Sequence, residues 1–280
     1  MRKILSVVLS LFFVASIQMV AFGGNENQPV GARSAGLANA SLTLNDVWSI
    51  HHNQAGLGSI RKISAGVYYE SRFLLPELGL SAGALAVPIG KGTFGLSFRS
   101  FGFQAYKENK IGLAYGRAFG DFLSIGMQIN FQSAVFSEFY GSSSTFTAEI
   151  GAIYKASKRV TIAAHLFNPN QSRIAEFDDE RIPSVIRFGA RYLFSDQVFV
   201  VAEVENALYQ KPVLRGGLEY HPVDILYVRA GISGNPLNSN FGFGLQMKKF
   251  QLDFAGAFHQ VLGFTPKISL TFNPSAGNEK

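Results

Sequence analysis

From about residue 62 onward the chain alternates between apolar and polar residues. In FLSIGMQINFQ, Leu123, Ile125, Met127, Ile129 and Phe131 interleave with Ser124, Gly126, Gln128, Asn130 and Gln132. TFGLSFR sets Phe94, Leu96 and Phe98 against Gly95, Ser97 and Arg99. VIRFGARYLF and NFGFGLQMK repeat the pattern. A period of two belongs to strands with one apolar and one polar face; a helix would need a period near 3.6, and these segments do not have it. Reading strands between turn signals gives fourteen, at about 62–75, 78–89, 93–105, 109–119, 122–136, 144–156, 159–168, 184–195, 197–206, 211–221, 225–233, 240–248, 249–259 and 265–272. Every second connection is tight: Gly90–Gly92, Gly120-Asp121, Ser157–Arg159, Ser195–Gln197, His221–Asp224 and Lys248-Lys249. The others tend to be longer, as in Ser137–Ser143, Asn168–Pro183 and Gly234–Asn240.

An even number of strands with short turns at one end and longer loops at the other is the pattern of an outer-membrane β-barrel with both termini in the periplasm. Composition agrees. There are 26 Phe and 29 Gly, only 16% of residues are charged, and no apolar run beyond the N-terminus reaches the roughly 20 residues of a membrane helix. The charged face carries Arg99, Glu149, Lys155, Arg187, Arg191, Glu203, Glu205, Arg215, Glu219, Arg229 and Asp253. A charge facing lipid near the midplane costs about 2–4 kcal/mol, so these residues are expected to line the interior, with opposite signs on adjacent strands. A soluble sandwich would have to bury them in its core, against their desolvation cost.

The N-terminus reads as a leader. Arg2 and Lys3 precede the mostly apolar stretch Ile4–Met19, and Ala21-Phe22-Gly23 sets small residues at a cleavage site. The expected division is a signal peptide over 1–23, an N-terminal segment over 24–60, a barrel over 61–272 and a periplasmic tail over 273–280. The formal net charge of +6 falls by two with the leader, too mild a balance to argue nucleic-acid binding. The strand Lys267–Phe272, which ends on an aromatic, looks like the segment that barrel-assembly machinery reads.

Residues 24–60 do not alternate and are rich in Ala, Gly, Asn and Ser. Placed before the first strand, they can fold into the periplasmic mouth and plug it. The stretch GARSAGLANASLTLNDVWSIHHNQAGL resembles the N-terminal hatch of FadL-like and PorV/PorQ-like outer-membrane barrels. The matching positions are Gly31, Ala32, Arg33, Gly36, Asp46, Asn53, Ala55, Gly56 and Leu57, with Gln54 where the family has Pro. Trp48, the only tryptophan, is expected to anchor the hatch. The resemblance implies fourteen strands, outer-membrane lipid as surroundings and one of two functions. PorV/PorQ-like barrels are scaffolds of type IX secretion in Bacteroidota, whose partners are secretion-machinery or surface proteins. FadL-like barrels transport hydrophobic small molecules. Short polar loops and a charged lumen favour the scaffold.

Enzymatic chemistry finds no support. There is no Cys. His51 and His52, adjacent on an extended chain, would point apart and lack a further ligand at helical spacing, so no metal is expected. His165, His221 and His259 are scattered near strand ends. No Ser occupies a Gly-x-Ser-x-Gly elbow. The Gly-Phe-Gly repeats lie in strands with no helix following, which excludes a phosphate cradle. Asp178-Asp179-Glu180 lacks calcium-loop spacing. No cofactor and no catalytic residue are expected.

Overall fold

In a computed structural model, which describes residues 29–136, 141–173, 182–208, 210–235 and 237–274, the alternating segments form one closed antiparallel barrel of fourteen strands. These are β1 (Ser64–Ser71), β2 (Gly79–Ile89), β3 (Gly92–Phe103), β4 (Tyr106–Phe119), β5 (Leu123–Phe136), β6 (Ser142–Lys155), β7 (Val160–Phe167), β8 (Val185–Ser195), β9 (Val198–Ala207), β10 (Val213–Val223), β11 (Leu226–Ser233), β12 (Asn238–Met247), β13 (Phe250–His259) and β14 (Gly263–Phe272). Each strand pairs with its sequence neighbours, and β1 closes on β14 with Ala65 opposite Phe272 and Glu70 opposite Lys267. Closure leaves no unpaired strand edge, a condition for any sheet that crosses a membrane.

The molecule is polar inside and apolar outside. On β5, Met127 and Ile129 are 57% and 64% exposed, whereas Gln128 and Asn130 between them are 2% and 0% exposed. The same inversion holds on β3, where Leu96 and Phe98 face out and Ser97 and Arg99 face in. An apolar outer band on a closed sheet is stable only against hydrocarbon.

The six tight turns all lie at one end. At the other end β1 and β2 are joined by two 3-10 turns, Arg72–Leu74 and Pro76–Leu78. The tendency toward longer loops there has two exceptions. Residues 104–105 suffice between β3 and β4, and residues 260–262 between β13 and β14. Long antiparallel strands need only a tight turn when both continue to pair to their ends, as Phe103 with Tyr106 and His259 with Gly263 do. The segment expected as a leader, the residues beyond 274 and the run Asp178–Glu180 lie outside the described residues.

Residues 29–60 lie in the lumen. They form helix α1 (Ala32–Gly36) and two 3-10 segments, Val47–His51 and Gln54–Ser59. Their apolar side chains make the molecule's main interior core: Val30, Ala32, Val47, Trp48, Ile50 and Leu57 pack with Tyr68, Leu80 and small residues of β2.

Candidate functional site

Local chemistry sets the path of the lumenal segment. Asp46 caps the first 3-10 segment by accepting a hydrogen bond from the Trp48 backbone N–H at 3.0 Å. Asn53 caps the second, accepting from Ala55 N at 3.2 Å, and its Nδ2 donates to the Leu42 carbonyl at 3.1 Å and to the Ala152 carbonyl of β6 at 3.3 Å. Gly31 adopts φ 101°, a left-handed conformation that glycine tolerates, and a Cβ there would lie 3.0 Å from Trp48 Cγ. Gly56 is similarly enclosed, 2.6 Å from Ser49 Cβ if it carried a Cβ.

Three barrel carboxylates hold the segment, each paired with barrel cations as well. Glu219 of β10 takes Arg33 through Nε at 2.9 Å and Nη2 at 2.7 Å, and accepts from Arg229 Nε at 2.6 Å. Arg33 also reaches Asp46 at 3.0 Å, and Arg229 reaches Asp253 at 2.7 Å. Glu203 of β9 accepts from the backbone N–H groups of Ser41 and Leu42 at 3.0 and 3.2 Å, and pairs with Arg187. Arg215 bonds Glu205 through both terminal nitrogens at 2.9 Å. Glu149 of β6 accepts from Gln54 Nε2 at 2.8 Å, Lys110 Nζ at 2.6 Å and Asn130 Nδ2 at 2.9 Å, and meets His165 Nε2 at 3.0 Å. Buried ions persist only where paired and hydrogen-bonded, and here each carboxylate joins the wall to the segment.

Glycines make room for this seating. Gly116, Gly126 and Gly151 lie directly opposite one another on β4, β5 and β6, and a Cβ on any of them would meet residues 53–58. On the far wall Gly217 and Gly231 are paired, and Cβ atoms there would come within 2.9 and 2.5 Å of the backbone of residues 37–38. The remaining contacts are polar or aromatic. Ala32 N donates to Ser269 Oγ at 3.2 Å. Trp48 Nε1 donates to Thr271 Oγ1 at 2.9 Å, and its ring lies edge-on to Tyr68.

The two histidines part company as their adjacency implies. His51 Nε2 donates to the Gly83 carbonyl at 3.2 Å. Burial, with Lys110 nearby, pushes its pKa down to about 3. His52 is fully buried and its pKa is also pushed down, chiefly by burial and then by Arg187. Burial works against the Arg33 charge, but Glu219 and Asp46 outweigh it and hold its pKa above the ordinary value.

Of the interior charges read from the sequence, Arg99, Glu149, Arg187, Glu203, Glu219, Arg229 and Asp253 are buried in the wall, and Arg191, Glu205 and Arg215 are half-buried. Lys155 is the correction. It has the inward parity but is the last residue of β6 and is exposed, as a long charged side chain at a strand end is free to be. His165 is not isolated, because the barrel brings it to Glu149. Glu70, Glu108, Lys110 and Lys267 are further buried charges. Their signal was inward parity in the strand halves away from the tight turns, as in Lys110 beside Ile111.

Two cavities flank the lumenal segment. One of about 440 Å³ lies at the short-turn end, lined by Arg33, Asp46, Trp48, Arg61, Lys62 and Asp253 among others. One of about 470 Å³ opens at the opposite end, over Pro29 and Asn39. An apolar depression of about 800 Å³ lies on the outer wall across β6–β10, floored by Ala152, Ala164, Ala190 and Ala202.

No protein-family model matches the chain, and no curated protein matches its sequence. Solved structures do match. The CymD monoaromatic hydrocarbon channel aligns with a TM-score of 0.69 over 87% of this chain and 97% of its own, at 12% identity. This chain has the FadL-type barrel fold. A Pseudomonas aeruginosa FadL homologue aligns at 0.65 over 90% of this chain and 100% of its own, at 15% identity. The Ralstonia pickettii toluene transporter TbuX aligns at 0.64 over 86% and 96%, at 13% identity.

Proposed function

We propose that the chain is a non-enzymatic, FadL-like channel of the outer membrane that passes small hydrophobic molecules, with residues 29–60 as a lumenal plug. The supporting observation is likeness along nearly the whole length to structures described as a monoaromatic hydrocarbon channel and a toluene transporter. The lumenal segment adds a physical reason: an open fourteen-stranded barrel would pass solutes unselectively, whereas a segment bonded to Glu219 and Glu203 on neighbouring strands and to Glu149 of β6 obstructs it. The test is toluene uptake into vesicles carrying the purified barrel. Uptake above that of protein-free vesicles supports the reading; uptake equal to theirs contradicts it.

A second reading, the type IX scaffold that is the other function the hatch resemblance implies, is favoured by the outer mouth, where charges and amides are interspersed with apolar side chains such as Val185 and Val213 and no uniformly greasy capture surface forms. Co-purification from detergent-solubilised outer membranes separates the two. A stable complex with a secretion component favours the scaffold, and a bound hydrocarbon without a protein partner favours the channel.

A further inference from the structure

The cavity at the outer mouth has a chemistry of its own. Its fixed charges arrive already paired. Glu70 lies between Arg72 Nε at 2.8 Å and Lys267 Nζ at 3.5 Å, and accepts from Tyr68 at 2.6 Å. Glu205 is clamped by Arg215. Arg72, Arg215 and Lys267 against Glu70 and Glu205 leave one net positive charge, and because these groups are already paired their pull on a free ion is small. What the pairs do present is N–H donors and carboxylate lone pairs side by side, since a guanidinium has five donors and a carboxylate about four acceptor sites.

Amides extend this surface. Asn235, Asn238 and Gln210 line the cavity, and Asn240 forms part of its floor. Asn240 Nδ2 donates to the Ala35 carbonyl at 2.9 Å, but its Oδ1 has no partner although the residue is only 7% exposed. That oxygen is enclosed by protein, so Asn240 closes the floor, and the amides of Asn235, Asn238 and Gln210 line the space above it. At the rim stands Phe73, held at φ 54° in a region that bulky residues rarely adopt. Its N–H donates to Thr265 Oγ1 at 3.1 Å, and its ring meets His259 at a steep angle. Strain of this kind persists where surrounding contacts over-determine it, often at ligand sites.

We propose that this outer vestibule binds a neutral, hydroxyl-rich solute the size of a mono- or disaccharide. Alternating donors and acceptors bond its hydroxyls, and the Phe73 ring packs against its C–H face. The volume of about 470 Å³ lies within the range of small-molecule sites. A hydrocarbon of the same size would cover the paired charges and the lining amides while offering them nothing. The inference goes beyond the transport reading and does not rest on it, because the cavity lies outside the plug and binding there needs no passage.

The test uses the full-length mature protein in a detergent without a sugar head group, with maltose and glucose as probes and toluene as comparator. Saturation-transfer NMR and calorimetry should show saturable sugar binding. Phe73→Ala and Asn238→Ala should each weaken it about tenfold or more, while Asn170→Ala, on the separate loop after β7, leaves it unchanged. Mobility on unheated gels establishes that each variant is folded. Competition by lipopolysaccharide would place the sugar in a surface glycan, and lack of competition would assign a free solute; either upholds the class. The proposal is overturned if neither sugar binds saturably, if both substitutions leave binding unchanged, or if toluene displaces the sugar at lower concentration. Failed toluene uptake with intact sugar binding would count against the channel reading alone.

Discussion

At the scale of single residues, the lumenal segment is held by charge and by burial, and each makes a separate prediction. Arg33 gives Glu219 two charge-assisted hydrogen bonds and joins it to Asp46. Arg33→Ala should loosen the segment by about 2–3 kcal/mol, the order for hydrogen bonds to charged groups. The barrel itself should still fold, because its strands pair without Arg33. Single-channel recording should show brief openings that the parent lacks, and unchanged closure would show that the pairing does not retain the segment. His51 and His52 predict acid sensitivity. Both are held neutral in the folded protein, with pKa values below the ordinary 6.5, and both take up protons when released. Their contribution is therefore fully present above pH 6.5 and is lost as pH falls toward 3. Openings should become more frequent over that window, and His51→Gln should blunt the rise. A pH-independent closed state between 6.5 and 3 would contradict the burial of these rings.

At the scale of elements, the glycine rows explain a composition that alternation alone leaves open. Gly217 and Gly231 sit on the inward face against residues 37–38, whereas a Cβ at Gly216, on the outward face, would meet only the Val201 carbonyl at 3.9 Å. Gly231→Val should displace the segment and raise conductance while the strand, given a residue that favours sheets, still pairs. Gly216→Val should leave conductance at the parent level. Equal effects of the two would remove the seating role. The strands were legible because inward and outward parity is a property of the extended backbone, visible over six or eight residues at Leu123–Phe131. The path of residues 29–60 was not. Its anchors join residues as far apart as Ala32 and Ser269, 237 positions away, and no local pattern records such a contact. The motif positions Asp46 and Asn53 were visible as residues, but their work as caps of two 3-10 segments was not, because such short helices leave no periodicity. Gln54, which stands where the resembling family has Pro, supplies the amide that reaches Glu149.

At the scale of the whole molecule, the barrel is a polar interior wrapped by an apolar exterior, and the lumenal segment completes that interior. The hatch motif is shared by both groups, and short polar loops with a charged lumen tipped the sequence reading toward a secretion scaffold, whereas likeness along nearly the whole chain shows a FadL-type barrel fold. The channel reading requires that residues 29–60 obstruct the lumen, and the scaffold reading is compatible with it. The most direct measurement is planar-bilayer conductance of the intact mature protein beside a deletion of residues 29–58, each first shown to be folded by its mobility on unheated gels. The intact barrel should conduct little and the deletion steadily. Steady large conductance by the intact protein, or no gain from the deletion, would contradict the account.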